Sequence, residues 1–121
     1  MKTAVSLSYF HRKIGPLVFF SYPKNSLDKK LSIKIASIMN QQYTEGFFTL
    51  SFENLKSMNY YFEIYSDWAR GNKEKLMVSI IVDHQISTEM EENLSRLCAE
   101  FSERLQSNEE IYTAFYIYMI I

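Results

Sequence analysis

Few side chains in this sequence belong to the types that make or break bonds. There is one cysteine, Cys98, and there are two histidines, His11 and His84. A nucleophilic thiol needs a lowered pKa and a nearby base. Cys98 instead falls on the apolar stripe of a helical pattern, where a small core hydrophobe is expected. Neither histidine has a second histidine, a cysteine or a carboxylate at metal-ligand spacing. Asp83 and His84 are adjacent, but neighbours on a strand point to opposite faces. The pair therefore reads as a strand-to-helix connection. Phosphate loops, dinucleotide fingerprints, nucleophile elbows and paired-cysteine motifs are missing, and three glycines could not supply most of them. No catalytic, cofactor-binding or metal-binding residue is expected, and no enzyme activity.

The elements that would carry a binding surface are more legible. A chain of 121 residues argues for one domain spanning residues 1–121. With 47% hydrophobic residues it can bury a core without metal or disulfide staples. The lone cysteine makes a reducing, cytoplasmic setting the default. A net charge of −1 gives no overall basic field for nucleic acid or an anionic membrane. No window approaches the ~18 apolar residues of a membrane span, and the N-terminus does not read as a signal peptide.

Val5, Leu7 and Tyr9 alternate with Ser6 and Ser8, the period of a strand. "IGPLVFFSYP" (residues 14–23) predicts a second strand with Pro16 at its start and Pro23 at its end. Proline cannot donate to a ladder, so this strand belongs on a sheet edge, hairpin-paired to the first. Its near-continuous apolar run implies that both sheet faces are covered. A first helix follows, capped by Asn25 or Ser26 with Asp28 in its first turn, and ends near Gln42. Leu27, Leu31, Ile35, Ile38 and Met39 form its apolar face. Phe48, Leu50 and Phe52 alternate with Thr49 and Ser51 and mark a third strand.

Strands four and five read as a long hairpin about Gly71 and Asn72. That turn pairs Arg70 with Lys73, Trp68 with Lys75, and Phe62 with Ile81. Thr88 and Glu91 form a capping-box pattern for a second helix, whose stripe is Met90, Leu94, Leu97, Cys98, Phe101 and Leu105. Ser107 and Glu110 repeat the signature, and Ile111, Ala114, Phe115, Tyr118 and Met119 predict a third helix. The expected fold is α+β: a five-stranded, mostly antiparallel sheet with helices on both faces, in the order β-β-α-β-β-β-α-α.

Charge separates along the chain. Residues 24–34 hold four lysines and one aspartate, net +3, and residues 88–105 hold five glutamates and two arginines, net −3. Two solvated helix faces explain each run alone; together they would orient a charged partner. Tyr60-Tyr61-Phe62 and Phe47-Phe48 lack the basic groove of a single-strand nucleic-acid platform, so core and partner surface are the better assignments. "DWARGNKE" (67–74) projects Trp68 and Arg70, residue types that dominate binding hot spots.

The element order resembles the longin-type, profilin-like architecture. "GPLVFFSYP" is similar to the Gly-Pro-apolar start of the second strand in longin-like domains. "SDWARGNKEKLMVSIIVD" resembles the fourth-to-fifth strand hairpin of stand-alone prokaryotic longin-like proteins. The resemblance implies a non-enzymatic interaction module of membrane-trafficking type, binding small GTPases, SNARE-like segments or a second copy in a homodimer. It places a peptide groove between the first helix and the third strand, at Leu31 or Ile35 with Phe47, Phe48 and Phe52. The coiled-coil heptads that follow the domain in SNARE proteins are missing, against a fusion role. The alternative is a small-ligand sensor of PAS-like or profilin-like shape. Against it stands the lack of convergent polar groups among the aromatics.

Overall fold

The computed structural model describes residues 3–41 and 44–115. Five strands run β1 (Thr3–His11), β2 (Gly15–Tyr22), β3 (Gly46–Phe52), β4 (Leu55–Tyr65) and β5 (Lys73–Val82). Helix α1 (Lys29–Ser37) lies between β2 and β3 and tightens into a 3-10 turn, Ile38–Gln41. Helix α2 (Thr88–Gln106) follows β5. The class is α+β, and all strand pairs of the single described sheet are antiparallel, in the order β2-β1-β5-β4-β3. The Pro16 strand and the Phe48 strand thus hold the two edges.

The β1–β2 turn is closed by a side chain. His11 Nδ1 accepts from the backbone N–H of Lys13 at 3.0 Å and of Ile14 at 3.2 Å. Gly15 then takes φ 96°, a conformation that favours glycine. Further along, the β1–β2 register slips between Leu7 and Ser8: Leu7 faces Phe20, whereas Ser8 faces Val18. Phe19 is the extra residue of a bulge, which re-aims the side chains beyond it. Phe19 packs in the cluster that holds Tyr9 and Phe115, and Phe20, its neighbour, lies against Leu7, Leu97 and Phe101 of that cluster's margin. Part of the continuous apolar run in β2 is therefore the signature of a bulge.

Both helix caps sit one or more residues from their expected places. Asp28, not Asn25 or Ser26, caps α1: its Oδ1 accepts from Leu31 N–H at 2.7 Å. Asn25 is spent on a turn residue with positive φ. Ser87 rather than Thr88 caps α2, accepting from Met90 N–H at 3.0 Å. Glu91 is drawn instead to Lys56 on β4, at 3.0 Å.

The β4–β5 connection is wider than a two-residue turn. Tyr65 faces Lys73 and Phe62 faces Leu76, not Ile81. Residues 66–72 form the loop, with Ser66 N–H bonded to Asn72 O and Asn72 N–H to Ala69 O, both at 3.0 Å. Gly71 and Asn72 do adopt positive φ, as the turn signal requires, but they end a longer loop. Its width is held by buried Ser66, whose Oγ donates to Glu74 Oε1 at 3.3 Å. The register moves by an odd number of residues, so the faces exchange. Phe62 and Ile81 fall in different core clusters.

Those clusters take alternate residues of the central strands. Leu7, Tyr9, Phe62, Leu76, Val78 and Ile80 pack with Cys98 and Phe115. Ala4, Tyr61, Met77 and Ile81 pack with Leu27, Ile35 and Met39. Between the latter residues runs a fully buried row of small polar side chains: Ser6 is paired with Ser79, and Ser79 with Asn59. Ala36 and Ile35 of α1 are buried as well. After α2, residues 108–115 make i→i+3 bonds and residues 113–115 are helical. Tyr118 and Met119 of the expected third helix lie outside the described residues.

Candidate functional site

The residues with chemical potential are dispersed. His11 serves the β1–β2 turn. Asp83 and His84 lie in the bend after β5, which ends at Val82, so they do not take opposite faces; His84 Nδ1 and Asp83 Oδ1 are 3.3 Å apart and exposed. Cys98 is buried, and burial pushes its thiol up to about 11, so it is protonated at neutral pH. No group of His, Cys, Asp or Glu that could hold a metal ion exists among the described residues.

The expected groove beside α1 is assembled only in part. Leu31, Ile35, Phe48 and Phe52 share one cluster, but Ile35 is fully buried and offers a partner no surface. Phe47 packs in the other cluster, because successive strand residues point to opposite sides. Lys34 spans the gap between α1 and the β3–β4 end, its Nζ 4.8 Å from the Phe52 ring centre and 3.5 Å from Glu53 Oε1.

Trp68 is half-exposed and does not face Lys75. It meets the Tyr112 ring edge-on at 5.2 Å. Lys75 lies over the Phe10 ring instead, at 5.5 Å. Asp67 accepts from the hydroxyl of Tyr65 and from that of Tyr112, the latter at 3.4 Å. The hairpin loop is thereby tied to the segment after α2. Hydrogen bonding to Asp67 raises the Tyr65 hydroxyl above its ordinary value, and burial followed by the Asp67 charge does the same for Tyr112. The backbone of Arg70 lies in the 3-10 turn Arg70–Asn72; its side chain is outside the described set.

An open apolar groove lies elsewhere, between α2 and the β1–β2 edge of the sheet. Val5, Leu7, Phe20, Val78, Ile80, Leu97, Cys98 and Phe101 line about 210 Å³. Its outer walls are solvent-exposed: Phe20 is 51% exposed and Leu97 53%, with Phe101 just beyond them. The placement of α2 explains why. Near its start Glu91 pairs with Lys56 of β4 at 3.0 Å. At its end Gln106 Nε2 donates to Glu63 O of β4 at 3.0 Å and to Glu45 at 2.7 Å. The helix is held over β4, and the other described residues leave the β1–β2 margin uncovered.

Its rotation has the same consequence. At ~100° per residue, Met90, Leu97 and Phe101 fall within ~40° of one another on the helical circumference. Cys98 and Ser102 lie further round, and they face the sheet. Ser102 is 2% exposed while Leu97 is 53% exposed. The helix buries a serine and leaves its leucine, phenylalanine and methionine margin in water, against the ordinary preference. In the sequence the stripe from Met90 to Leu105 spans ~100°, the ordinary width of a core face, and does not show which of its margins stays in water.

Among the described residues, fold and groove define an α+β structure with an antiparallel sheet and an exposed apolar seam. No model of a known protein family matches the chain, and no curated protein is similar to it.

Proposed function

We propose that this chain is a non-enzymatic protein-binding module, with helices on the two faces of its sheet in longin-like order. The groove between α2 and the β1–β2 edge receives apolar side chains of a partner. The observation that carries this reading is the exposure of Leu97, Phe101 and Phe20 around an apolar groove while Ser102 is buried. Contiguous exposed apolar surface of this kind marks interaction sites. A groove of about 210 Å³ is below the ~300–1,000 Å³ of small-molecule pockets and suits one or two anchoring side chains. The longin resemblance supplies the partner class, a small GTPase of the cytoplasm, with self-association through the same groove as its homodimeric counterpart. Trp68 and Arg70 on the hairpin are further contacts such a partner would make; Leu31, Phe48 and Phe52 pack on the α1 side of the sheet and would serve a separate contact.

The test is retention of small GTPases by immobilised wild type and by a Leu97→Asp/Phe101→Ser variant, with GDP or a non-hydrolysable GTP analogue. Retention by the wild type alone supports the groove. Equal retention by both removes it as the interface, and no retention under either nucleotide removes the GTPase. Sedimentation of the two proteins over a concentration series reads self-association in the same way.

A second reading, a small-ligand sensor, is favoured by a cleft of about 480 Å³ at the end of the sheet, where Asn54, Lys56, Asp83 and His84 converge. Thermal stabilisation by a polar metabolite, lost in His84→Ala, would establish it; a panel without any shift would dismiss it.

A further inference from the structure

The outer surface of α1 holds a feature that the groove does not use. Ile33 is 61% exposed, although the apolar face of α1 lies elsewhere, at Leu31 and Ile35. At ~100° per residue, Lys29 lies on one side of Ile33 and Lys30 and Lys34 on the other, within an arc of ~140°. Lys24 precedes them in the approach to the helix. No ion pair joins Lys24, Lys29 or Lys30 to another described residue, and Lys34 reaches exposed Glu53 at 3.5 Å. Asp28 is committed to its capping bond. The whole-chain charge of −1 conceals this local surplus.

We propose that this face of α1 docks the protein on an anionic lipid surface, with Ile33 in the headgroup–acyl boundary and the lysines among the headgroups. Four lysines close together attract anionic headgroups at ~1 kcal/mol each, and an exposed aliphatic side chain among them adds buried apolar area. The residue type favours lipid over protein: the positive residues between positions 24 and 34 are all lysine. Protein interfaces enrich arginine and deplete lysine. The surface is the outward face of a helix, with Ile33, Lys29, Lys30 and Lys34 all exposed. The field is oriented to match. The strand residues packed with α1 alternate with those packed with α2, so the two helices look away from each other. The net +3 of residues 24–34 faces the bilayer, and the net −3 of residues 88–105 faces away from it. The apolar groove beside α2 stays open to a protein partner while α1 is docked.

The experiment is co-sedimentation of the full chain with phosphatidylcholine vesicles, with and without roughly one-third phosphatidylserine, at low and high salt. The wild type is expected to sediment only with the anionic vesicles and to be released by salt. Lys29→Glu/Lys30→Glu, at exposed positions, is expected to lower partitioning at least ~tenfold. Ile33→Ser is expected to lower it several-fold with the salt response kept. Circular dichroism confirms that both variants are folded. Sedimentation with neutral vesicles alike, with no vesicles, or undiminished in the double lysine variant overturns the proposal. So does a salt-sensitive dimer without vesicle binding, which would assign the face to the acidic α2 of a second copy. These variants leave α2 intact, so this result and that of the groove test stand apart.

Discussion

If the seam beside α2 is a docking surface and not core, its side chains contribute little to folding. Leu97→Ala tests this against Leu76→Ala. Full burial of a leucine side chain is worth ~1.5–3 kcal/mol. Leu97 is 53% exposed, so less than half of that remains, and truncation at an open groove leaves no enclosed cavity. The expected loss is ~0.5–1 kcal/mol. Leu76 is fully buried at the centre of the cluster, where truncation adds a cavity term and costs ~2–5 kcal/mol. Urea unfolding followed by circular dichroism reads both. With a slope of about 1.5 kcal/mol/M, the midpoint moves by ~0.5 M for Leu97→Ala and ~1.5–3 M for Leu76→Ala. A Leu97→Ala shift as large as that of Leu76→Ala, at unchanged slope, would show that the chain itself covers the seam and would refute the argument for a free groove.

Further outcomes follow from the same geometry. Asp28→Ala removes the bond to Leu31 N–H and is expected to cost ~1 kcal/mol, with Asp28→Asn recovering most of it in urea melts. Burial raises Cys98 from 9.0 to about 11, so at pH 8 its alkylation by iodoacetamide should be ~100-fold slower in the native protein than in urea. Burial, with the charges of Glu63 and Glu45 behind it, raises Tyr61 from 10.0 to about 12. Both groups have folded values above their unfolded ones, so ionisation favours the unfolded chain. Their contribution is complete below pH 9 and is lost as pH rises through about 11 and 12, which alkaline unfolding monitored at the tyrosinate absorbance would show. Ser79→Leu adds volume at a fully buried position of β5 and is expected to cost ~1–3 kcal/mol, against a near-neutral exposed Ser37→Leu.

Much of the architecture was legible because it is written in short periods. The alternation of Val5, Leu7 and Tyr9 reports a strand from any nine-residue window, and the stripe from Met90 to Leu105 reports a helix. Proline at the start of β2 reports an edge, since it has no N–H to give. The capping signals were less exact because competent residues stand side by side: Ser87 precedes Thr88, and Asp28 follows Ser26. Which one caps depends on which adopts the extended backbone before the helix.

The pairing of β4 with β5 was misread for a physical reason. Gly71 and Asn72 report positive φ faithfully, yet register also depends on Ser66 reaching Glu74 across the loop, and no local pattern carries that contact. Phe47 and Phe48 likewise pack in different clusters, since adjacent strand residues diverge. The sequence by itself determined the class of fold, the proline-marked edge of the sheet and the supply of apolar and lysine side chains. Tertiary structure alone decided which of them meet water. Lys56 and Gln106 hold α2 over β4, the bulge at Phe19 turns Phe20 toward the gap, and Leu97 and Phe101 are left outside. Exposure is a property of distant segments packed together, and the residues that tether α2 are separated by up to 61 positions in the chain.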